Sequence, residues 1–275
     1  MGALPVSDEL HITSAQNPRI KEAAALRDRK EREQRQRILV EGAREIGRAI
    51  ASGWRIDSAF VCRELLSDAA HTLLRTLTAG RGITSVSAHV FDKLALREGS
   101  DGIAVVMQMR STPLADALQS RRGCPPLVVA LHGIEKPGNL GAILRTADGI
   151  GASGVVLLEG TSDPLSPNAV RASLGTVFAL PIAIATTDAL LASGRAAGLQ
   201  FFAAALGATA RPPWQHDLRG PTCLVLGAEA TGLPEAWLAA ADQRILIPMH
   251  GIADSLNVAA AGAMLLYEAM RQRCA

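Results

Sequence analysis

The sequence predicts an α/β protein with two domains, and three observations lead to this fold class. Helical and extended patterns alternate along the 275 residues, the extended segments are short apolar runs, and hydrophobic residues make up 48% of the chain. Alternation of this kind indicates strands with helices packed on the faces of a sheet. A chain of this length and apolar content can fill the cores of two ordinary domains.

The first predicted domain spans residues 10–110. Its strands are the apolar runs RILVEG, IDSAFVC, ITSVS and GIAVVMQM, which alternate with a charged helix after Asn17 and with the helices AREIGRAIASG, DAAHTLLRTLTAG and HVFDKLAL. Residues 111–126, STPLADALQSRRGCPP, mix Pro, Ser, Gly and Arg, a composition typical of a connector. We therefore expect a small α/β domain followed by a linker.

The second predicted domain spans residues 127–275. Six apolar runs, LVVALHGI, GVVLLEG, LPIAIA, QFFAAAL, TCLVLGA and RILIPM, alternate with helices, and a final helix is predicted from about Leu256 to Arg273. This pattern favours a parallel sheet covered by helices on both faces, with ligands outside the carboxyl ends of its strands.

A glycine fingerprint raises the possibility of a dinucleotide cofactor. Gly149, Gly151 and Gly154 are spaced as G-x-G-x-x-G, but that motif requires a strand, then the glycine turn, then a helix. Here a helical pattern precedes the glycines and a strand follows. No acidic residue that could hold a ribose occurs in residues 169–185. The glycines are therefore predicted to end a helix, and a nucleotide-dependent oxidoreductase is disfavoured.

Composition excludes several other classes of protein. No apolar run approaches the roughly 18 residues of a membrane helix, and the first residues lack the basic start and apolar core of a signal peptide. The four cysteines form no C-x-x-C pair, so neither a disulfide framework nor a zinc site is indicated. We expect a cytoplasmic protein without a metal.

The net charge of +2 is small, but its distribution is uneven. Between Arg19 and Arg37 there are eight basic and four acidic residues. Such a helix is either a solvated charged surface or a face that binds a phosphate backbone. The candidate RNA-binding residues are Arg19, Arg29, Lys30, Arg32 and Arg44.

Three stretches of the second domain, each after a strand, do not look like ordinary connectors. Asn139 follows a Pro-Gly turn, with Arg145 six residues on; Glu229 lies among small residues at the end of a strand; and Ser255 and Asn257 precede a helix of small residues. Taken singly, Asn139 and Ser255 could be helix caps and Glu229 a surface charge. Their occurrence in this order favours a shared site.

These stretches resemble the motifs of one known family. KPGNLGAILRTADGIGASGVVL, LVLGAEATGLP and ILIPMHGIADSLNVAAAGAMLLYE are similar, in order and separation, to the three motifs of the SpoU (TrmH-like) branch of the SPOUT RNA methyltransferases. Residues 12–50 resemble the ribosomal-protein-like substrate-binding domain of that family. Lys136 departs from the pattern, since many relatives have Asp or Asn there, and we expect this departure to matter little.

The resemblance implies an S-adenosylmethionine-dependent enzyme that methylates a ribose 2'-hydroxyl in structured RNA. It further implies an α/β/α substrate domain, a trefoil knot in the C-terminal segment, and a homodimer formed through the small-residue helix after Asn257. The favoured substrate is 23S ribosomal RNA. Transfer RNA is the alternative substrate, and a catalytically idle RNA-binding or ribosome-assembly protein is the alternative function.

The resemblance also assigns roles to residues. Arg145 corresponds to the catalytic arginine; because a guanidinium is a poor base in water, we expect it to grip the phosphate beside the target ribose and stabilise the developing alkoxide, with general-base action as the alternative. Positioning roles fall to Asn139, Glu229, Ser255 and Asn257. Cofactor contacts, largely through backbone, are expected at Gly227, Ala228, Ile247, Pro248, Met249 and Leu256.

Overall fold

The computed structural model describes residues 11–77, 82–96, 99–121 and 123–274. It divides into two compact units. Unit 1 comprises Met1–Arg110 and Leu165–Phe178, and unit 2 comprises Ser111–Pro164 and Ala179–Ala275. The segment Leu165–Phe178 thus packs with unit 1, although it falls within the residues predicted for the second domain.

Unit 1 is built on a mixed five-stranded sheet, in the order β1-β4-β3-β5-β2. The strands β1, β4 and β3 are parallel, whereas β5 is antiparallel to both β3 and β2. The strands are β1 (His11–Ile12), β2 (Arg37–Glu41), β3 (Ile56–Val61), β4 (Ile83–Val86) and β5 (Ile103–Gln108). The helices before residue 110 are α1 (Pro18–Ala25), α2 (Arg29–Arg35), α3 (Ala43–Ala51), α4 (Asp68–Leu77) and α5 (Ala88–Phe91). The last residues of the predicted helix 68–80 lie outside the described part of the chain.

The early charged segment forms two helices, so the prediction of a single charged helix is wrong. The helix α1 ends at Ala25, with buried Leu26 as its C-cap, and Asp28 then caps α2 by accepting hydrogen bonds from the backbone N–H groups of Lys30 and Glu31. An aspartate in this position satisfies N–H groups that a continuous helix would have bonded internally. The break changes which of the basic side chains face solvent.

Unit 2 is a six-stranded sheet in the order β11-β9-β10-β6-β7-β8, with every neighbouring pair parallel. The predicted α/β fold with a parallel sheet is therefore confirmed. The strands are β6 (Leu127–Leu131), β7 (Gly154–Leu157), β8 (Ile182–Ile184), β9 (Gln200–Ala204), β10 (Thr222–Leu226) and β11 (Gln243–Ile245). The remaining helices are α6 (Leu114–Ala117), α7 (Pro137–Ile150), α8 (Pro167–Ala172, in unit 1), α9 (Thr187–Ala196), α10 (Glu235–Ala240) and α11 (Val258–Arg273).

The glycines of the fingerprint end a helix, as predicted. Gly151 follows α7 in the left-handed conformation, with φ of 80°, where glycine has no steric penalty. Gly154 begins β7, and a Cβ there would collide with the backbone of Ala117 in α6. The helix α6 lies within the predicted linker, and its Ala117 is buried in the core of unit 2. Helix termination accounts for Gly151 and close packing against α6 for Gly154, whereas Gly149 lies inside α7 with open space beside it.

Candidate active site

The three motif-like stretches lie at one edge of the unit 2 sheet. Leu131 of β6 pairs with Leu226 of β10, so the loops that follow these parallel neighbours emerge side by side. The backbone N–H of His132 donates to Leu226 O at 2.9 Å. Gly133 has a φ of 69°, and a Cβ there would lie 3.1 Å from the Cβ of Ala228. The loops after β6 and β10 are therefore in van der Waals contact.

The carboxylate of Glu229 joins the three stretches. Its Oε1 accepts a hydrogen bond from Asn139 Nδ2 and another from Asn257 Nδ2 at 3.4 Å. Its Oε2 accepts from Lys136 Nζ at 2.7 Å. These residues come from the start of α7, the loop after β10 and the N-terminus of α11. The structure thus brings together three of the five side chains that the sequence assigned to the reaction.

We call the contacts of Glu229 with Lys136, Asn139 and Asn257 the junction. Asn257 takes part in the junction and also caps α11, using both ends of its side-chain amide. Its Oδ1 accepts from the N–H groups of Ala259 and Ala260 at 2.8 and 3.2 Å, which makes it the N-cap of α11. Its Nδ2 donates to Asn139 Oδ1 at 3.2 Å as well as to Glu229. The start of α11 is therefore held to the start of α7.

Neither Asn139 nor Ser255 is a helix cap, which removes that alternative explanation for both residues. Asn139 is the third residue of α7, whose N-cap position is taken by Lys136 without a side-chain cap bond. Ser255 is exposed and lies two residues before the actual cap, Asn257. The Pro-Gly pair starts the helix directly, because proline is well suited to the first helical position. Asn139 is thereby free to use its amide for the junction.

Lys136 is the residue that sequence reasoning missed. It was expected to matter little, yet its ammonium forms an ion pair with Glu229 at 2.7 Å. The hydrogen bond that Lys136 donates to Glu229, together with the negative charge of that carboxylate, raises the pKa of Lys136 above its ordinary value. One feature of the sequence could have indicated this role: Lys136 lies three residues before Asn139, immediately before the same helix.

Arg145 lies apart from this junction. It is exposed on α7, six residues after Asn139, which corresponds to about 9 Å along a helix axis. Within the part of the chain that the structure describes, no hydrogen bond or ion pair holds its guanidinium. Its donors are therefore available to a ligand.

The loop after β10 closes on itself. Ala228 N donates to Gly232 O at 3.1 Å, and Gly232 N donates back to Ala228 O at 2.9 Å. A Cβ on Gly227 would collide with the backbone of Gly232 and Leu233. The space beside Gly227 is thus filled by the turn of its own loop.

The expected cofactor contacts all follow β10 or β11 or precede α11. Gly227 and Ala228 come directly after β10, and Leu256 precedes the cap of α11. The strand β11 ends at Ile245, earlier than the predicted run to residue 249, which leaves Ile247, Pro248 and Met249 in an irregular segment. All six residues are partly exposed. Their side chains and backbone groups are therefore partly accessible to solvent.

The basic residues of unit 1 differ in their accessibility. Arg19, Lys30 and Arg44 are exposed, and Arg29 is exposed and paired with Glu33 at 2.7 Å. Arg32 is only 3% exposed, and its Nη1 donates to the carbonyl groups of Leu26 and Arg27 at 2.9 and 2.6 Å. Its assignment to RNA binding is therefore wrong, because its guanidinium closes the break between α1 and α2.

In residues 11–77, 82–96, 99–121 and 123–274, no group of three or more His, Cys, Asp or Glu side chains is arranged to hold a metal ion. Over the same residues, no helix has both the length and the apolar character needed to cross a membrane.

Comparison with known proteins decides the family. The family model described as the SpoU rRNA Methylase family matches residues 126–267, more than half of the chain, and the MRM3-like substrate binding domain matches residues 17–105. This chain belongs to the SpoU rRNA methylase family. The predicted family and the predicted enzyme class, an RNA methyltransferase, are thereby confirmed.

Relatives match this SpoU protein over most of its length. A Synechocystis protein described as an uncharacterized tRNA/rRNA methyltransferase is 32% identical, covering 98% of this chain and 96% of its own. The 23S rRNA (guanosine(2553)-2'-O)-methyltransferase RlmP of Bacillus subtilis is 29% identical, covering 93% and 97%. The crystal structure of an AdoMet-bound rRNA methyltransferase from Sinorhizobium meliloti is 34% identical, with a TM-score of 0.85 over 95% and 97% of the two chains.

Proposed function

We propose that this SpoU protein transfers a methyl group from S-adenosylmethionine to a ribose 2'-hydroxyl of 23S ribosomal RNA. The observation that carries the proposal is the junction at Glu229, which holds Asn139 and Asn257 at the carboxyl edge of the sheet. Ligands of parallel α/β sheets bind at this edge. The match of residues 17–105 to a substrate-binding domain supports a large RNA as the substrate.

The residues at this edge fit S-adenosylmethionine. Ile247, Pro248, Met249 and Leu256 are partly exposed apolar residues of the kind that line an adenine site, and the turn at Gly227 presents backbone groups for polar contacts. When bound, the cofactor supplies an electrophilic methyl group on a sulfonium. The AdoMet-bound relative agrees with this cofactor prediction.

The protein's own contribution is alignment and electrostatic stabilisation. An in-line displacement requires the attacking oxygen to face the methyl carbon, and the linked loops fix that geometry through Asn139, Glu229 and Asn257. Arg145 has no ion-pair partner among the described residues, so its five donors can grip a phosphate and stabilise the oxygen as it loses its proton. Ser255, which is exposed two residues before the cap of α11, would contact the nucleotide.

Residues 10–110 would bind the RNA, residues 111–126 would link the domains, and residues 127–275 would carry the reaction. Exposed Arg19, Arg29, Lys30 and Arg44 supply phosphate contacts to the first domain. Base stacking on Phe60 or Phe91 is disfavoured, because both rings are at most 2% exposed. A ribosomal substrate is favoured over transfer RNA because RlmP, a 23S rRNA enzyme, matches 93% of this chain.

The enzyme would act as a cytoplasmic homodimer through α11. Met264 is 51% exposed and Tyr267 is 57% exposed, and with exposed Ala260 they recur at helical spacing along one face. A second copy of this chain would bury that face. The trefoil knot of the C-terminal segment belongs to the same proposal and is supported by the family resemblance.

Two measurements test the function. Ribose methylation mapped across total RNA, with and without the gene, should lose one or a few sites in 23S ribosomal RNA when the gene is absent. Loss of a transfer RNA site instead would establish the alternative substrate. Calorimetry with S-adenosylmethionine separates an enzyme from an idle RNA-binding protein, because the idle protein would release no heat and leave the methylation map unchanged.

A further inference from the structure

Lys136 occupies the N-cap position of α7, but its side chain does not cap that helix. The ammonium instead lies 2.7 Å from Oε2 of Glu229. The side chain of Lys136 is 73% exposed and that of Glu229 is 30% exposed. Exposed ion pairs contribute little to the overall stability of a fold, so the effect of this pair is local.

The two oxygens of Glu229 have separate partners. Oε1 accepts hydrogen bonds from the amide groups of Asn139 and Asn257, and Oε2 accepts one from the ammonium of Lys136. The last torsion of a glutamate is broad and is not fixed by its backbone. Contacts on both oxygens therefore fix the plane of the carboxylate more firmly than the contacts on Oε1 alone. If Oε2 lost its partner, the carboxylate could rotate away from the asparagines.

We propose that Lys136 is a positioning residue of this site, which acts through Glu229. Its ammonium fixes the carboxylate so that Oε1 keeps the start of α7 and the start of α11 together. This inference rests on the proposed function, since the geometry being held is that of the methyl-transfer site. The ammonium is charged at neutral pH, as in any exposed lysine, and the contact with Glu229 raises its pKa further.

A direct contact between Lys136 and an RNA phosphate is the competing explanation, and the two differ in what they change. A phosphate contact alters the KM for RNA and the salt dependence of binding. A positioning role alters kcat, because the reacting atoms remain bound but are misaligned. It also alters the motion of the loops in the absence of RNA.

The first experiment compares Lys136→Met and Lys136→Arg with Lys93→Met, a matched control in which an exposed lysine of unit 1 is replaced. For Lys136→Met we expect kcat to fall by about tenfold or more, with the KM for RNA within about twofold of the parent. Arginine should restore most of kcat, because it can also donate to Oε2. A parental kcat in Lys136→Met, or a change confined to KM, overturns the proposal.

The second experiment places Lys136→Met in a Glu229→Gln background. If Lys136 acts through Glu229, the second substitution adds little to the first, whereas independent effects multiply. Multiplying effects would contradict the proposal. The single variants Lys136→Met and Glu229→Gln, measured in the same assay, complete this double-mutant cycle.

A third measurement needs no methyl transfer. Backbone hydrogen exchange of the protein without ligands should be faster in Lys136→Met than in the parent at Ala259 and Ala260, whose N–H groups Asn257 holds. Unchanged exchange there counts against the proposal. A parent that methylates no RNA would instead refute the proposed function, and the exchange result would still report whether Lys136 holds the junction.

Discussion

The side chains of Asn139 and Asn257, 118 residues apart in the sequence, are joined by a hydrogen bond of 3.2 Å from Nδ2 of Asn257 to Oδ1 of Asn139. The same Asn257 caps α11 with its Oδ1. One amide therefore performs two tasks, helix capping with its oxygen and loop joining with its nitrogen.

Asn257→Asp separates these tasks. Aspartate keeps the capping oxygen but has no N–H, and it places a second carboxylate beside Glu229. We expect the melting temperature to stay close to that of the parent while methyl transfer falls by about two orders of magnitude. Asn257→Ala, which removes both functions, should also lower the free energy of unfolding by about 1 kcal/mol. Thermal unfolding and a single-turnover assay measure the two effects, and equal activity of the aspartate variant and the parent would show that the nitrogen is dispensable.

Arg145→Ala should reduce methyl transfer by about two or more orders of magnitude. Since the guanidinium is exposed and has no ion-pair partner in the described part of the chain, the melting temperature and the affinity for S-adenosylmethionine should change little. Arg145→Lys distinguishes the possible roles. Partial recovery of methyl transfer, relative to the alanine variant, indicates that positive charge is required, and no recovery indicates that the two parallel N–H donors of the guanidinium are required. Near-parental turnover of the alanine variant would remove Arg145 from the mechanism.

Gly227→Ala should weaken the binding of S-adenosylmethionine by distorting the turn to Gly232. The added Cβ meets backbone rather than a flexible side chain, so we expect a cost of about 1–3 kcal/mol. Gly149→Ala is the matched control, because it lies on α7 with open space around its Cβ position and should stabilise the protein by about 0.5–1 kcal/mol. Calorimetry and thermal unfolding test both variants. Parental cofactor affinity in Gly227→Ala would separate this turn from the cofactor site.

Lys30→Gln should weaken RNA binding, whereas Arg32→Met should lower stability, although both remove one positive charge from α2. Loss of exposed Lys30 should reduce the slope of log affinity against log salt by roughly 0.7–0.9 for 23S ribosomal RNA, without loss of stability. Loss of buried Arg32 should lower the melting temperature, because the carbonyl groups of Leu26 and Arg27 lose their donor. If the salt dependence of RNA binding were the same in Lys30→Gln and the parent, α2 would be a solvated surface that makes no phosphate contact through Lys30.

The pH dependence of stability should include a contribution from Glu268. Hydrogen bonds from Arg271 and Gln272 lower the pKa of this carboxyl to about 2 in the folded protein, from 4.5 for an unperturbed group. A lowered folded-state pKa stabilises the protein above the unfolded value, and the contribution disappears as the pH falls from about 4.5 to about 2. The melting temperature of Glu268→Gln should therefore lie below that of the parent at pH 7 and converge with it in acid. Glu235→Gln, an exposed glutamate of α10, should show no such convergence.

The described strands β2 to β11 could be predicted from sequence because each lies in a short apolar run, and the parallel sheet of unit 2 followed from their alternation with helices. The two-residue strand β1 (His11–Ile12) is too short to form such a run, and it was not predicted. Glu229, Asn139 and Asn257 could be grouped because parallel strands present their following loops at one edge. The pairing of Lys136 with Glu229 could not be predicted, since it joins residues 93 positions apart through a flexible side chain. The burial of Arg32 depends on the break at Asp28, which a count of charges does not reveal.

The path of the chain constrains how this protein can be recombined with its relatives. Leu165–Phe178 belongs to unit 1, where Arg48 donates to Leu174 O at 2.7 Å and the indole of Trp54 donates to Phe178 O at 3.1 Å. A chimera that exchanged the first 110 residues alone would pair foreign donors with these native carbonyl groups. Unit 1 is therefore encoded in two separate pieces of the gene, and an exchange that preserves its internal contacts has to carry both.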